Sequence, residues 1–117
     1  VMVSNAAYSK LTVKKVPAFM SQDIVTKLLR EELGFDGIVM TSPLNDNVIE
    51  NNYTNEFAVV EAVKAGCDLI VLPGNFNECY EALITAVEEG RIDEKVINTS
   101  VRRILQNKIQ RGILVLE

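Results

Sequence analysis

Residues 34–46 read Gly-Phe-Asp-Gly-Ile-Val-Met-Thr-Ser-Pro-Leu-Asn-Asp. An apolar run, Ile38–Met40, stops at Thr41-Ser42-Pro43, and a polar loop follows. The pattern delivers a hydroxyl, Ser42, to the far end of a buried strand. Taken alone, Ser42-Pro43 reads more simply as a strand-ending turn. A serine hydroxyl is neutral at pH 7 and a weak nucleophile without an adjacent base. The sequence has no histidine, which removes the commonest general base and the commonest zinc ligand. The nearest downstream carboxylate is Asp46, four positions on in the loop.

Other reactive side chains are sparse. Cys67 and Cys79 show no metal-ligand spacing and read as buried small hydrophobes or free thiols. Pro73-Gly74-Asn75 before a helix could hold an anion, but it lacks a dinucleotide or P-loop fingerprint. A strand-to-helix turn is the simpler reading. Arg30, Glu31 and Glu32 read as a solvated helix face, and so do Arg102, Arg103, Lys108 and Arg111.

The elements that position these residues follow from pattern. Val1–Ser4 reads as the end of a buried strand, followed by a loop over 5–20. Ser21 is a plausible N-cap for a helix over about 22–33, with Ile24, Val25, Leu28 and Leu29 at helical spacing. Gly34 stops it in a position that favours a left-handed residue. Gly37–Thr41 is apolar without alternation, as in a parallel strand buried on both faces. The loop 42–53 is rich in Asn and Asp and reads as surface. A helix over about 54–65 with Phe57, Val60 and Val63 on its faces leads to Gly66. Asp68–Leu72 is a third strand. Helix 76–89 carries Cys79, Tyr80, Leu83, Ile84 and Val87 on one side. Asp93 caps a last helix to about 111, with Val96, Ile97, Val101, Ile104, Leu105 and Ile109 inward.

Strands alternating with helices imply an α/β fold of parallel βα repeats with right-handed crossovers. Ligands bind beyond the carboxyl ends of such strands, here Ser4-Asn5, Thr41-Ser42 and Pro73-Gly74.

The whole chain has 117 residues, 48% hydrophobic and 24% charged, which suits one globular domain. A net charge of −4 argues against a nucleic-acid partner. The longest apolar runs fall well short of the roughly 18 residues that span a bilayer. Val1 is not a natural start, so the chain reads as an excised piece, and localisation stays open between cytoplasm and export.

The residues Leu28-Leu29-Arg30-Glu31-Glu32-Leu33-Gly34-Phe35-Asp36-Gly37-Ile38-Val39-Met40-Thr41 resemble the active-site signature of glycoside hydrolase family 3, near its bacterial β-N-acetylglucosaminidase branch. Val1–Ser4, Val16-Pro17-Ala18 with Ser21, Ala62–Leu69, and Ser100–Leu105 with Lys108 are similar to flanking family segments, in the family's order. The resemblance implies the last three strands of a TIM-like (β/α)8 barrel, so residues 1–117 would form a single partial domain. A complete barrel needs about 250 residues.

The resemblance also implies a retaining glycosidase acting on terminal β-linked N-acetylhexosamine or β-glucose, with no cofactor and no metal. Retention needs a carboxylate nucleophile about 5–5.5 Å from an acid/base partner. The family puts that aspartate directly after the Ser/Thr ending the strand, where this chain has Ser42. Where the family commonly has a strand-end histidine, this chain has Asn5, which can bind a sugar hydroxyl but cannot carry a proton at neutral pH. The family's acid/base loop and its Lys-His substrate segment belong to an earlier part of the barrel and are not among these residues.

The expectation is therefore a carbohydrate-facing fragment without turnover of its own. A phosphate- or sugar-binding module and a non-catalytic structural fragment are the alternatives. Three strands leave edges and an apolar face to cover. The expected partner is a second copy of the chain or the missing N-terminal half of the barrel.

Overall fold

A computed structural model describes residues 1–72 and 74–115. Two short parallel strands, β1 (Met2–Val3) and β2 (Met40–Thr41), pair in the register Met2 to Met40 and Val3 to Thr41. The third strand expected over 68–72 is reduced to a parallel bridge between Met40 and Leu69. Beyond it a side chain replaces the backbone ladder. The Val71 amide donates to Thr41 Oγ1 at 3.1 Å, and the Leu44 amide donates to the Val71 carbonyl at 3.2 Å. The strand order along the sheet is thus the chain order, as in consecutive βα units.

A π-helix spans Asp23–Glu32 where an ordinary helix is predicted. Its wide winding shows in the Leu33 amide, which donates to the Leu28 carbonyl five residues back at 3.0 Å. Nothing in the sequence explains that winding. Val25 is its buried contact, whereas Ile24, Leu28 and Leu29 are half-buried. Ser21 does not act through its side chain. Gln22 holds the cap position and no side-chain cap bond forms.

The α-helices are α1 (Asn47–Glu50), α2 (Asn55–Ala65), α3 (Phe76–Glu88) and α4 (Glu94–Gln110). Thr54 caps α2 by accepting from the Phe57 amide, and Asp93 caps α4 by accepting from the Lys95 amide. Each spares one orphan N–H of the first turn. α2 is the central helix. Ala58, Val59, Val60, Ala62, Val63 and Ala65 are all buried along it, against α3 and the segment Ala18–Met20. The small alanines let neighbouring backbones approach. Gly66 ends it at φ +108°, a conformation L side chains rarely adopt.

One loop expectation needs correction and another gains detail. The 42–53 segment is not wholly surface, because Leu44 and Ile49 are fully buried and α1 forms within it. An apolar residue every few positions lets this polar loop anchor itself to the core. Likewise the 5–20 loop turns inward through a 3-10 turn, Ala18–Met20, with all three residues buried.

The outer helices also depart from expectation. On α4, Val101, Leu105 and Ile109 are 46%, 43% and 40% exposed, so this apolar row does not face the core. Val96 and Ile97 do pack inward, against the cluster of Val60, Val63, Ala86 and Ile92, and polar Ser100 and Arg103 anchor the helix further along. On α3, Cys79 and Ala86 are buried, but Tyr80 and Ile84 lie on an exposed row that begins at Phe76.

Candidate functional site at the strand ends

β2 delivers Ser42 as the reading of the sequence expects. Its amide donates to the Val3 carbonyl at 3.0 Å, which joins it to the end of β1. Asn5 follows two residues later in a bend, half-buried. The two candidate residues therefore sit at the carboxyl ends of adjacent parallel strands. The proposed third strand end at Pro73 lies outside the described residues. Gly74 beside it is exposed. Asn75 adopts φ 33° before α3 and accepts from the Asn55 side-chain amide at 3.1 Å.

The Ser42 side chain is unusual. Its Oγ is buried and finds no hydrogen-bond partner among the described residues. A buried hydroxyl without a partner costs about 1–3 kcal/mol. Among the described residues no base is hydrogen-bonded to it. Asp46, the nearest downstream carboxylate, is committed elsewhere. Its Oδ1 accepts from the Val48 amide at 2.9 Å and caps α1.

At the other, amino-terminal ends of β2 and the third strand segment is a cluster that sequence reasoning missed. The Asp68 side chain is fully buried and accepts from four donors. Arg30 Nη2 (2.7 Å) and the Val39 amide (2.9 Å) share Oδ2. Ser100 Oγ (2.7 Å) and Arg103 Nη1 (2.9 Å) share Oδ1. Arg30 also donates to the carbonyls of Gly37 (3.1 Å) and Gly66 (2.9 Å). Thus Arg30 and Arg103 are not solvated helix-face residues. A carboxylate out of water needs such compensation. The cluster joins the π-helix, β2, the third strand segment and α4 at one point. The available signal was an acid heading an apolar run directly after Gly66-Cys67.

The neighbouring Cys67 is also buried. Burial, with the Asp68 carboxylate adding to it and Arg30 opposing, pushes its thiol up to about 12. Its Sγ lies 3.4 Å from the Phe19 carbonyl, which makes it a packing residue rather than a nucleophile. Cys79 is likewise a buried free thiol.

Comparison with known proteins identifies the family. The profile of the glycosyl hydrolase family 3 N-terminal domain matches residues 1–107. A β-glucosidase from Rhizobium radiobacter is 37% identical over 82 residues, covering 70% of this chain and 9% of the relative. Beta-hexosaminidase A from Pseudoalteromonas piscicida is 30% identical over 101 residues, covering 79% of this chain and 17% of the relative. The solved family 3 β-N-acetylglucosaminidase from a Paenibacillus species superimposes with a TM-score of 0.91 at 35% identity, covering 100% of this chain and 24% of that one. The β-N-acetylglucosaminidase from Thermotoga maritima gives a TM-score of 0.84 at 30% identity, covering 91% and 24%. The chain thus spans a quarter or less of these relatives' lengths. With a family profile running along almost all of it and a matching α/β backbone, the chain belongs to glycoside hydrolase family 3.

Proposed function

We propose that these residues form the last three βα units of a family 3 barrel and present Ser42 and Asn5 towards a terminal β-linked N-acetylhexosamine or β-glucose, without cleaving it by themselves. The activities carried in the relatives' names support the sugar class. The observation that carries the second half is the buried, unpartnered Ser42 Oγ at the position where the resemblance implies a carboxylate. A neutral hydroxyl with no base is a poor nucleophile, and its attack would give a stable O-glycoside rather than the labile glycosyl ester that a carboxylate forms. Nor can such a hydroxyl offset positive charge in an oxocarbenium-like transition state. Asp46 does not substitute, because it is held at the start of α1.

The test is release of an aryl β-N-acetylglucosaminide or β-glucoside by the purified chain. No release above buffer is expected. Turnover that persists through purification and is lost in Ser42→Ala would overturn the reading.

A second, structural role is supported by one specific feature. Met2, Met40 and Leu69 form one cross-sheet row, with Met2 55% and Leu69 38% exposed. The opposite row, Val3 and Thr41, is buried under the helices. Burying the open row would favour association with a second copy or with further barrel strands. Light scattering that shows a monomer at all concentrations would exclude self-association.

A further inference from the structure

A cavity of about 480 Å³ lies away from the strand ends, between the segment preceding the π-helix and the flank of α2. That volume is within the roughly 300–1,000 Å³ typical of small-ligand pockets. Tyr53 and Phe57 form part of its wall, with rings nearly parallel (6°) and centroids 5.9 Å apart. Phe57 is 51% exposed although most of α2 is buried, so an aromatic surface is left open beside the cavity. Lys14, Ser21, Gln22, Asp23, Glu61 and Lys64 supply the polar lining.

The charges there are largely neutralised in pairs. Asp23 is bound by Lys27 at 2.6 Å, and Glu61 by Lys64 at 2.7 Å. Such a wall does not concentrate a cation, and Lys14, the one lining lysine outside these pairs, is no cationic cluster for an anion. What it offers is an apolar ring pair flanked by hydrogen-bonding groups of both kinds. That combination suits a neutral polyhydroxylated ring, whose C–H face packs on the aromatics while its hydroxyls pair with the amide, carboxylates and ammonium.

We propose that this cavity is an accessory, non-catalytic binding site for a neutral mono- or disaccharide. The inference rests on the carbohydrate reading above but uses none of the strand-end residues.

The test is amide-resolved NMR titration of the whole chain with cellobiose and with N,N′-diacetylchitobiose. Saturable shifts are expected around Gln22, Tyr53 and Phe57. Phe57→Ala should weaken binding at least tenfold, while the control Phe76→Ala on α3 should leave it within twofold. If Phe57→Ala does not fold, Gln22→Ala, at an exposed position, should weaken binding severalfold. Absence of shifts up to the solubility limit would overturn the proposal. So would shifts confined to residues 4–5 and 41–42, or displacement of the sugar by inorganic phosphate. None of these outcomes depends on turnover, so this site and the reading of Ser42 fail separately.

Discussion

Arg30 Nη2 lies 2.7 Å from Asp68 Oδ2, and the same oxygen accepts the Val39 amide at 2.9 Å. The pair therefore holds the backbone that leads through Met40 and Thr41 to Ser42. Removing one partner of a buried ion pair typically costs about 3–5 kcal/mol, because the other charge is left without compensation. Asp68→Asn and Arg30→Met are each expected to lose stability in that range in urea unfolding. Arg30→Lys should recover only part of it, since an ammonium cannot reach the carboxylate and the Gly37 and Gly66 carbonyls together.

Ser42 tests the opposite situation, a polar group that lacks its partner. Ser42→Ala is expected to stabilise the chain by about 1 kcal/mol, the desolvation cost of one unmade hydrogen bond. Ser42→Asp should be less stable than the alanine variant at neutral pH, because it puts an ionised group where the described residues supply no donor. Paired denaturant curves would measure both changes.

Two glycines with positive φ separate backbone conformation from space. At Gly34 (φ +68°) an added Cβ meets nothing within 4 Å. Gly34→Ala should cost about 1–2 kcal/mol, the ordinary penalty of left-handed backbone for an L residue. At Gly66 (φ +108°) the Cβ would lie 2.9 Å from Thr26 Oγ1, which already donates to the Ala65 carbonyl at 2.7 Å. Gly66→Ala should cost more than Gly34→Ala and lower the thermal midpoint further.

The Cys67 thiol gives a pH dependence with a definite sign. Its pKa rises from an ordinary 9.0 to about 12 on folding, mainly through burial. Between those values the unfolded chain loses the proton and the folded chain keeps it. The stability this thiol contributes is therefore complete below about pH 9 and is lost as pH rises towards 12. Cys67→Ala should flatten the alkaline decline in stability. In the native chain at pH 8, Cys67 should react with a thiol reagent only as fast as the protein opens.

Much of this architecture is legible in the sequence. Helical periodicity and terminal glycines place four of the five helices longer than a single turn or close to it, and Thr41-Ser42 is found at the end of β2 as expected. The missing ladder of the third segment is not legible, because the Thr41 hydroxyl takes the bond a strand carbonyl would otherwise accept. The direction of α4 is not legible either. Its apolar residues occupy more than one face, and the inward face is set by Val96 and Ile97 together with Ser100 and Arg103, which reach a carboxylate 32 and 35 residues away in sequence. Long-range polar pairing of this kind leaves no periodic trace. Pattern places Ser42 and Asn5 at strand ends and the family resemblance assigns their roles, whereas the Asp68 cluster joins residues too far apart in sequence to be read from either.

The claim that Ser42 does not attack the sugar is tested most directly by covalent trapping. The chain would be incubated with an activated 2-deoxy-2-fluoro glycoside, which arrests retaining enzymes at the glycosyl-enzyme stage, and its intact mass measured. The expected result is an unchanged mass. A gain of one fluoroglycosyl group, mapped by peptide sequencing to Ser42 or Asp46, would contradict the account.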